Sequence, residues 1–229
     1  MRPQIFTTTA LTNDPDGIFE DQTTAGAGSL TLDGALVESG VAYCYGSTGT
    51  TKQGQLIAIE GTGNNSGVVA TITGTFGGAT VTEDVTLANN GTATSSNYFN
   101  TVSSITVDGA VTGNIEGGWL SASTDAAATL AYKTDSVQNP FNASLAVTLS
   151  SGASLTYTVQ HTFDLPQEDY GDVGWDNSAT WFNSDGITSK TANDNSNYAF
   201  TVQGTRLVIN SYTSGTAKYT YTQAYGNSG

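Results

Sequence analysis

The chain has 229 residues, of which 37% are apolar and only 11% charged, with twenty acids against six bases for a net charge of −14. That length suits one large β domain or two small ones, and the shortage of charged side chains argues against long helices. The negative field repels phosphate backbones, which argues against direct nucleic-acid binding.

The opening MRPQIFTTTA has a single Arg and no apolar core of the kind a secretory signal needs, so synthesis in a reducing cytoplasm is expected. No apolar run approaches the roughly 18 residues of a membrane span. Residues 1–24 read as an N-terminal arm or edge segment. Within it TNDPDGIFEDQ gathers Asp14, Asp16, Glu20 and Asp21 around an expected Pro-Asp-Gly turn. Alternating carboxylates before a glycine invite comparison with a calcium loop, but the full ligand spacing is absent and Pro15 interrupts it, so a solvated turn is expected.

Strands are expected from Gly28 onward, at Ser29–Val37, Val41–Gly46 and Gln55–Gly61. Cys44 lies in the apolar run Val41–Tyr45 and reads as a small buried hydrophobe; as the sole cysteine it forms no intrachain disulfide. The clearest pattern spans Gly67–Val107. Val68, Ala70 and Ile72 alternate with threonines in one arm, and Ala79, Val81, Val85 and Leu87 do so in the next. Period-2 alternation is what a strand shows when one face meets a core and the other meets water. Gly77-Gly78 between the arms predicts a tight hairpin turn, and Asn89-Asn90-Gly91 a second turn. Phe99 and Val102 differ in phase, and Val102 is out of phase with Ile105 and Val107, which predicts a bulge near Ser103-Ser104. A strand at Ala110–Gly117 follows, with Trp119 at the sandwich mouth or a domain junction, and SASTDAAATLAYKTDS is either one more strand or a linker.

A second hairpin turns at Ser151-Gly152, with Ala143, Leu145, Val147 and Leu149 in one arm. Leu155, Tyr157, Val159, His161 and Phe163 form the apolar face of the other. Three further strands close the chain, around Tyr198–Val202, Arg206–Tyr212 and Ala217–Tyr225. The fold class is therefore all-β: two antiparallel β-sandwich or jelly-roll-like domains, at 25–135 and 136–229, after the arm. A second sandwich this small is expected to lean on the first or on an oligomeric neighbour.

Catalytic chemistry finds little footing. His161 is the only histidine and sits on an apolar strand face without a nucleophile elbow, so a core or interface role with a satisfied hydrogen bond is expected. One Cys and one His do not make a zinc site, and no phosphate loop is present. The acid pairs Glu83-Asp84, Glu168-Asp169 and Asp172 with Asp176 fall in turns or on water-facing edges, where solvated carboxylates are the default. No enzyme activity and no cofactor are expected. The most interesting surface is the acidic-aromatic loop over 164–182, with Tyr170, Trp175, Trp181 and Phe182. Such rings cover the end of a sandwich, anchor a protein partner, or stack on sugar. The last use makes a carbohydrate-binding or host-recognition module the alternative reading.

The stretches ATITGTFGGATVTEDVTL and NYFNTVSSITVDGAVTGNIEGGW resemble a pattern recurrent in tailed-bacteriophage structural proteins. NPFNASLAVTLSSGASLTYTVQHTFD, ATWF and SNYAFTVQGTRLVINSYTSGT resemble another segment of that type. The resemblance implies a β-sandwich virion component made in the host bacterial cytoplasm, such as a capsid decoration or a neck or tail accessory protein. Its implied partners are other virion proteins (major capsid, portal or neck, or tail) and itself as a homo-oligomer. It implies no catalytic residues.

Overall fold

The computed structural model describes residues 4–8, 13–44, 53–120, 127–137, 139–165 and 175–223, which form an all-β, sandwich-like fold. Three antiparallel sheets carry it. The first sheet orders β1 (Gln4–Thr8), β19 (Ala217–Gln223), β14 (Ala143–Leu149) and β17 (Asp194–Tyr198). The second orders β4 (Val37–Glu38), β5 (Val41–Tyr43), β10 (Thr101–Val107), β7 (Val69–Phe76) and β8 (Ala79–Thr86), with β3 (Gly28–Ser29) also on β10. The third runs β16 (Phe182–Asn183), β15 (Ser154–Thr162), β18 (Gly204–Ser214), β12 (Ala127–Thr129), β6 (Gln53–Gly61), β11 (Ile115–Trp119) and β2 (Asp14–Gln22). In that sheet β13 (Tyr132–Lys133) pairs with β18, and β9 (Thr92–Phe99) with β6. Among the described residues, no helix is long and apolar enough to cross a membrane.

The third sheet is shared by two cores. Ile72, Val85 and Ile105 of the second sheet pack with Ile57, Ile59, Ile115 and Trp119 of the shared one. Leu145, Tyr219 and Tyr221 of the first sheet pack with Leu155, Tyr157 and Val159. The strands between these ends alternate between the cores. Ala128 and Val208 belong to the first, while Ala127, Leu207 and Ile209 belong to the second. Successive side chains on a strand point to opposite faces, so around β12 and β18 one face of the shared sheet serves each core. Within the segment that read as strand or linker, β12 forms the seam, bonded to β6 on one side and β18 on the other.

Local chemistry explains where strands stop. Gly77 and Gly78 both take positive φ, +63° and +87°, and close the β7–β8 hairpin in the two-residue geometry that matches strand twist. The register of β10 against β7 slips between Val102 and Ser104, a bulge that reconciles the two phases of this stretch. Phe99 and Val102, however, lie in different sheets. The chain crosses between them at buried Asn100, whose side chain donates to the Gln53 carbonyl and accepts the Gly77 N–H.

Four expectations need correction, one of them the strand around Tyr198–Val202, which runs instead over Asp194–Tyr198. Asp14–Gln22 is a continuous strand rather than a turn; as β2 it lies at the sheet edge, where Pro15 and its missing N–H are tolerated. Ser29–Val37 is paired only near its ends, because it crosses the sandwich. Leu30 N–H donates to Ile105 in one sheet, and Gly34 N–H to Ile18 in the other. The strand before Trp119 begins at Ile115, after a turn in which Gly113 has φ of +71°.

Edge strand β2 is held close by small residues opposite it. A Cβ on Gly118 would stand 1.9 Å from the Asp14 carbonyl oxygen. Backbone cannot swing aside as a side chain does, so Gly118→Ala is expected to cost at least about 2 kcal/mol, read as a lower urea midpoint with an unchanged slope.

Candidate interaction surface

Of the loop that sequence singled out, the two described tryptophans turn inward while Leu165 and Phe182 stay exposed. Trp175 opens a single helical turn, α1 (Trp175–Ser178), and is only 6% exposed; its Nε1–H donates to the Asp164 carbonyl at 3.3 Å. Trp181 is half-buried, donates Nε1–H to the Asp176 carbonyl at 2.9 Å, and carries the Arg206 guanidinium 4.2 Å above its ring. Tyr170, Glu168, Asp169 and Asp172 lie outside the described residues. Phe182 alone of the four aromatic residues proposed for contact is both described and exposed.

What holds this turn inward is polar. Asn177 pairs with the Tyr98 backbone, accepting its N–H and donating to its carbonyl, both at 3.1 Å. The Asp176 carboxylate accepts the Ala131 N–H. Buried Arg206 donates to Gln160 Oε1 and to the Asp176 carbonyl, each at 2.9 Å, and its guanidinium also lies 5.3 Å from the Tyr98 ring centroid. Tyr98 belongs to the first core, so these contacts staple the turn to the far side of the shared sheet.

An exposed cluster lies where the loop's strands meet the sheet edge. Phe163, Phe182 and Phe200 are 50%, 47% and 50% exposed. They surround His161, which is only 7% exposed, with ring centroids 5.2, 6.1 and 5.7 Å from the imidazole. Phe163 also lies 5.8 Å from Phe182 and 6.1 Å from Phe200, and Tyr198 backs the group 5.0 Å from His161. These spacings are those of mutually packed rings. His161 is therefore buried as expected, but its Nδ1 has no hydrogen-bond partner. Burial lowers its pKa, and the nearby Asp185 charge opposes that shift. Sequence reasoning placed His161 and Phe163 on the core face and did not foresee that this face emerges into solvent at its end.

The described acids among those weighed for catalysis, Glu83, Asp84 and Asp176, have structural occupations. Glu83 accepts the N–H groups of Ser96 and Asn97, at 2.6 and 2.9 Å, joining β8 to β9, and Asp84 accepts the Thr71 hydroxyl at 2.6 Å. Burial pushes the Asp176 carboxyl upward against the opposing pull of the Ala131 N–H, Arg206 and Lys133. Asp14 is raised by burial and by its hydrogen bond to Asp16, and Glu116 by burial and the charges of Asp21, Asp16 and Glu60. Burial likewise raises the Cys44 thiol, far from the reactive thiolate range. Among the described residues no group of three or more His, Cys, Asp or Glu side chains is arranged to hold a metal ion.

A carboxyl whose folded pKa lies above its unfolded value binds its proton better in the fold. It contributes stability below the ordinary carboxylate range and loses that contribution as pH rises through the folded value. His161, shifted the other way, loses its contribution as pH falls through its own lowered value. Stability is therefore expected to rise as pH falls through the folded values of Asp176, Asp14 and Glu116, with His161 acting against that rise. Asp176→Asn should remove part of that rise, as measured by melting temperature across the range.

Comparison with protein-family models, with curated proteins and with solved structures finds no match for this chain.

Proposed function

We propose that this protein is a non-enzymatic structural component of a tailed-phage particle, a capsid decoration or a neck or tail accessory, that works by docking on other virion proteins. The observation that carries this reading is the exposed cluster of Phe163, Phe182 and Phe200 beside edge strand β16. Large rings left half in water cost free energy unless a partner covers them, and such rings with few rotatable bonds are what protein interfaces bury at their centres. The virion assignment itself draws on the resemblance in both halves of the chain. Self-association fits the sheet edges, where β8 and β17 each end a sheet.

A sugar-binding reading loses its main support, because a ring as buried as Trp175 has no face to offer and Arg206 covers one face of Trp181. The test is particle purification. The protein should co-sediment with intact particles at a fixed copy number relative to the major capsid protein, and cryo-electron microscopy should show it in symmetry-related positions. Recovery solely from the soluble lysate would overturn the proposal.

A further inference from the structure

We propose that the phenylalanine cluster over His161 docks a cationic, aliphatic segment of a partner protein, one that presents lysine or arginine beside leucine-like side chains. This rests on the assembly reading above and names the chemistry of the partner.

Three observations set that chemistry. The ring faces of Phe163, Phe182 and Phe200 are negative in their quadrupole and attract an ammonium or guanidinium, while their edges pack on its methylene stem. The charges beside the cluster are both acidic: Asp185 is close enough to act on the His161 imidazole, and Asp164 follows Phe163 in the chain with its carboxylate accepting the Thr180 N–H at 2.5 Å. The described bases are placed elsewhere. Arg206 is buried against Trp181, Lys190 bridges Asp194 at 2.8 Å, Lys133 lies over the Trp175 ring, and Lys218 belongs to β19 in the first sheet.

The same charges argue against a second copy as the occupant. A two-fold contact through this patch would bring the acidic Asp164 and Asp185 of both copies together, on chains that each carry −14. His161 adds a further point. A buried imidazole nitrogen without a partner is costly, and an incoming N–H donor that reached it would remove that cost.

The experiment is calorimetric titration of the full chain, at about 0.15 M salt to screen long-range attraction. The probes are a short peptide alternating Lys with Leu and its Glu–Leu counterpart, used with the parent, with Phe163→Ser/Phe200→Ser and with Asp185→Asn. The serine pair keeps net charge unchanged and replaces exposed rings; circular dichroism confirms its fold. The Lys–Leu peptide is expected to bind the parent at least about tenfold more tightly than the Glu–Leu peptide. It should lose about tenfold on the serine pair and a smaller factor on Asp185→Asn.

Equal binding of both peptides, lost on the serine pair, would sink the cationic partner and leave the docking surface standing. Binding indifferent to the serine pair would sink the surface itself. Parent chains that self-associate in sedimentation, where the serine pair does not, would replace the partner with a second copy and overturn this inference.

Discussion

Arg206→Ala is expected to lower the unfolding free energy by about 3–5 kcal/mol, the cost typical of removing one member of a buried polar network. The substitution takes donors from Gln160 Oε1 and the Asp176 carbonyl, and it removes the guanidinium that lies over the Tyr98 and Trp181 rings. It also strips a compensating charge from the Asp176 carboxylate, whose burial already disfavours ionisation. Arg206→Lys keeps the charge but not the planar fork, so it should recover only part of the loss. A double-mutant cycle with Asp176→Asn isolates the electrostatic share: Arg206→Ala should cost less once the carboxylate is gone. If the single variant unfolds within about 0.5 kcal/mol of the parent, the range of ordinary surface changes, the staple is not what joins loop to sheet.

The elements legible in the sequence were those set by local rules. Alternation placed β7, β8, β14 and β15 and their buried faces, the glycine pair gave the hairpin, and a phase conflict gave the bulge at Val102–Ser104. The shared sheet was not legible. Ala127, Ala128 and Thr129 are all buried because each face of β12 meets a core, so no alternation marks that strand. Trp175, among acidic neighbours, reads equally as a packing ring or a contact ring. It is buried because Gly204, distant in sequence, leaves room for it: a Cβ there would stand 2.2 Å from the indole. Phe163 shows the converse failure. Period 2 tells which side of a strand a residue faces, not where the opposing sheet ends, and Phe163 lies just beyond β15 on the phase of Leu155 and Tyr157.

That phase gives the second large prediction. Leu155→Asp sets a carboxylate among the buried side chains of the second core, opposite Tyr212 in the register. An unpaired charge there costs several kcal/mol, a large part of the roughly 5–15 kcal/mol that holds a domain together. The variant is expected to lose its second core at pH 7, with collapse of the tyrosine near-ultraviolet dichroism from Tyr157, Tyr212, Tyr219 and Tyr221. Thr156→Asp, one residue along on the opposite and half-buried face, should fold and melt close to the parent. The tryptophans report how far the damage spreads. Trp119 is buried in the first core, while Trp175 and Trp181 sit at the staple. Because β18 lends Val208 to the first core and bonds to β12 at the seam, loss of the second core removes a wall of the first. Trp119 emission, read alone in a Trp175→Phe/Trp181→Phe background, should therefore shift red along with the tyrosine signal. A Trp119 spectrum that stays native in the Leu155→Asp chain would instead mean that the first core stands without its neighbour, and that the shared sheet joins two bodies without coupling them.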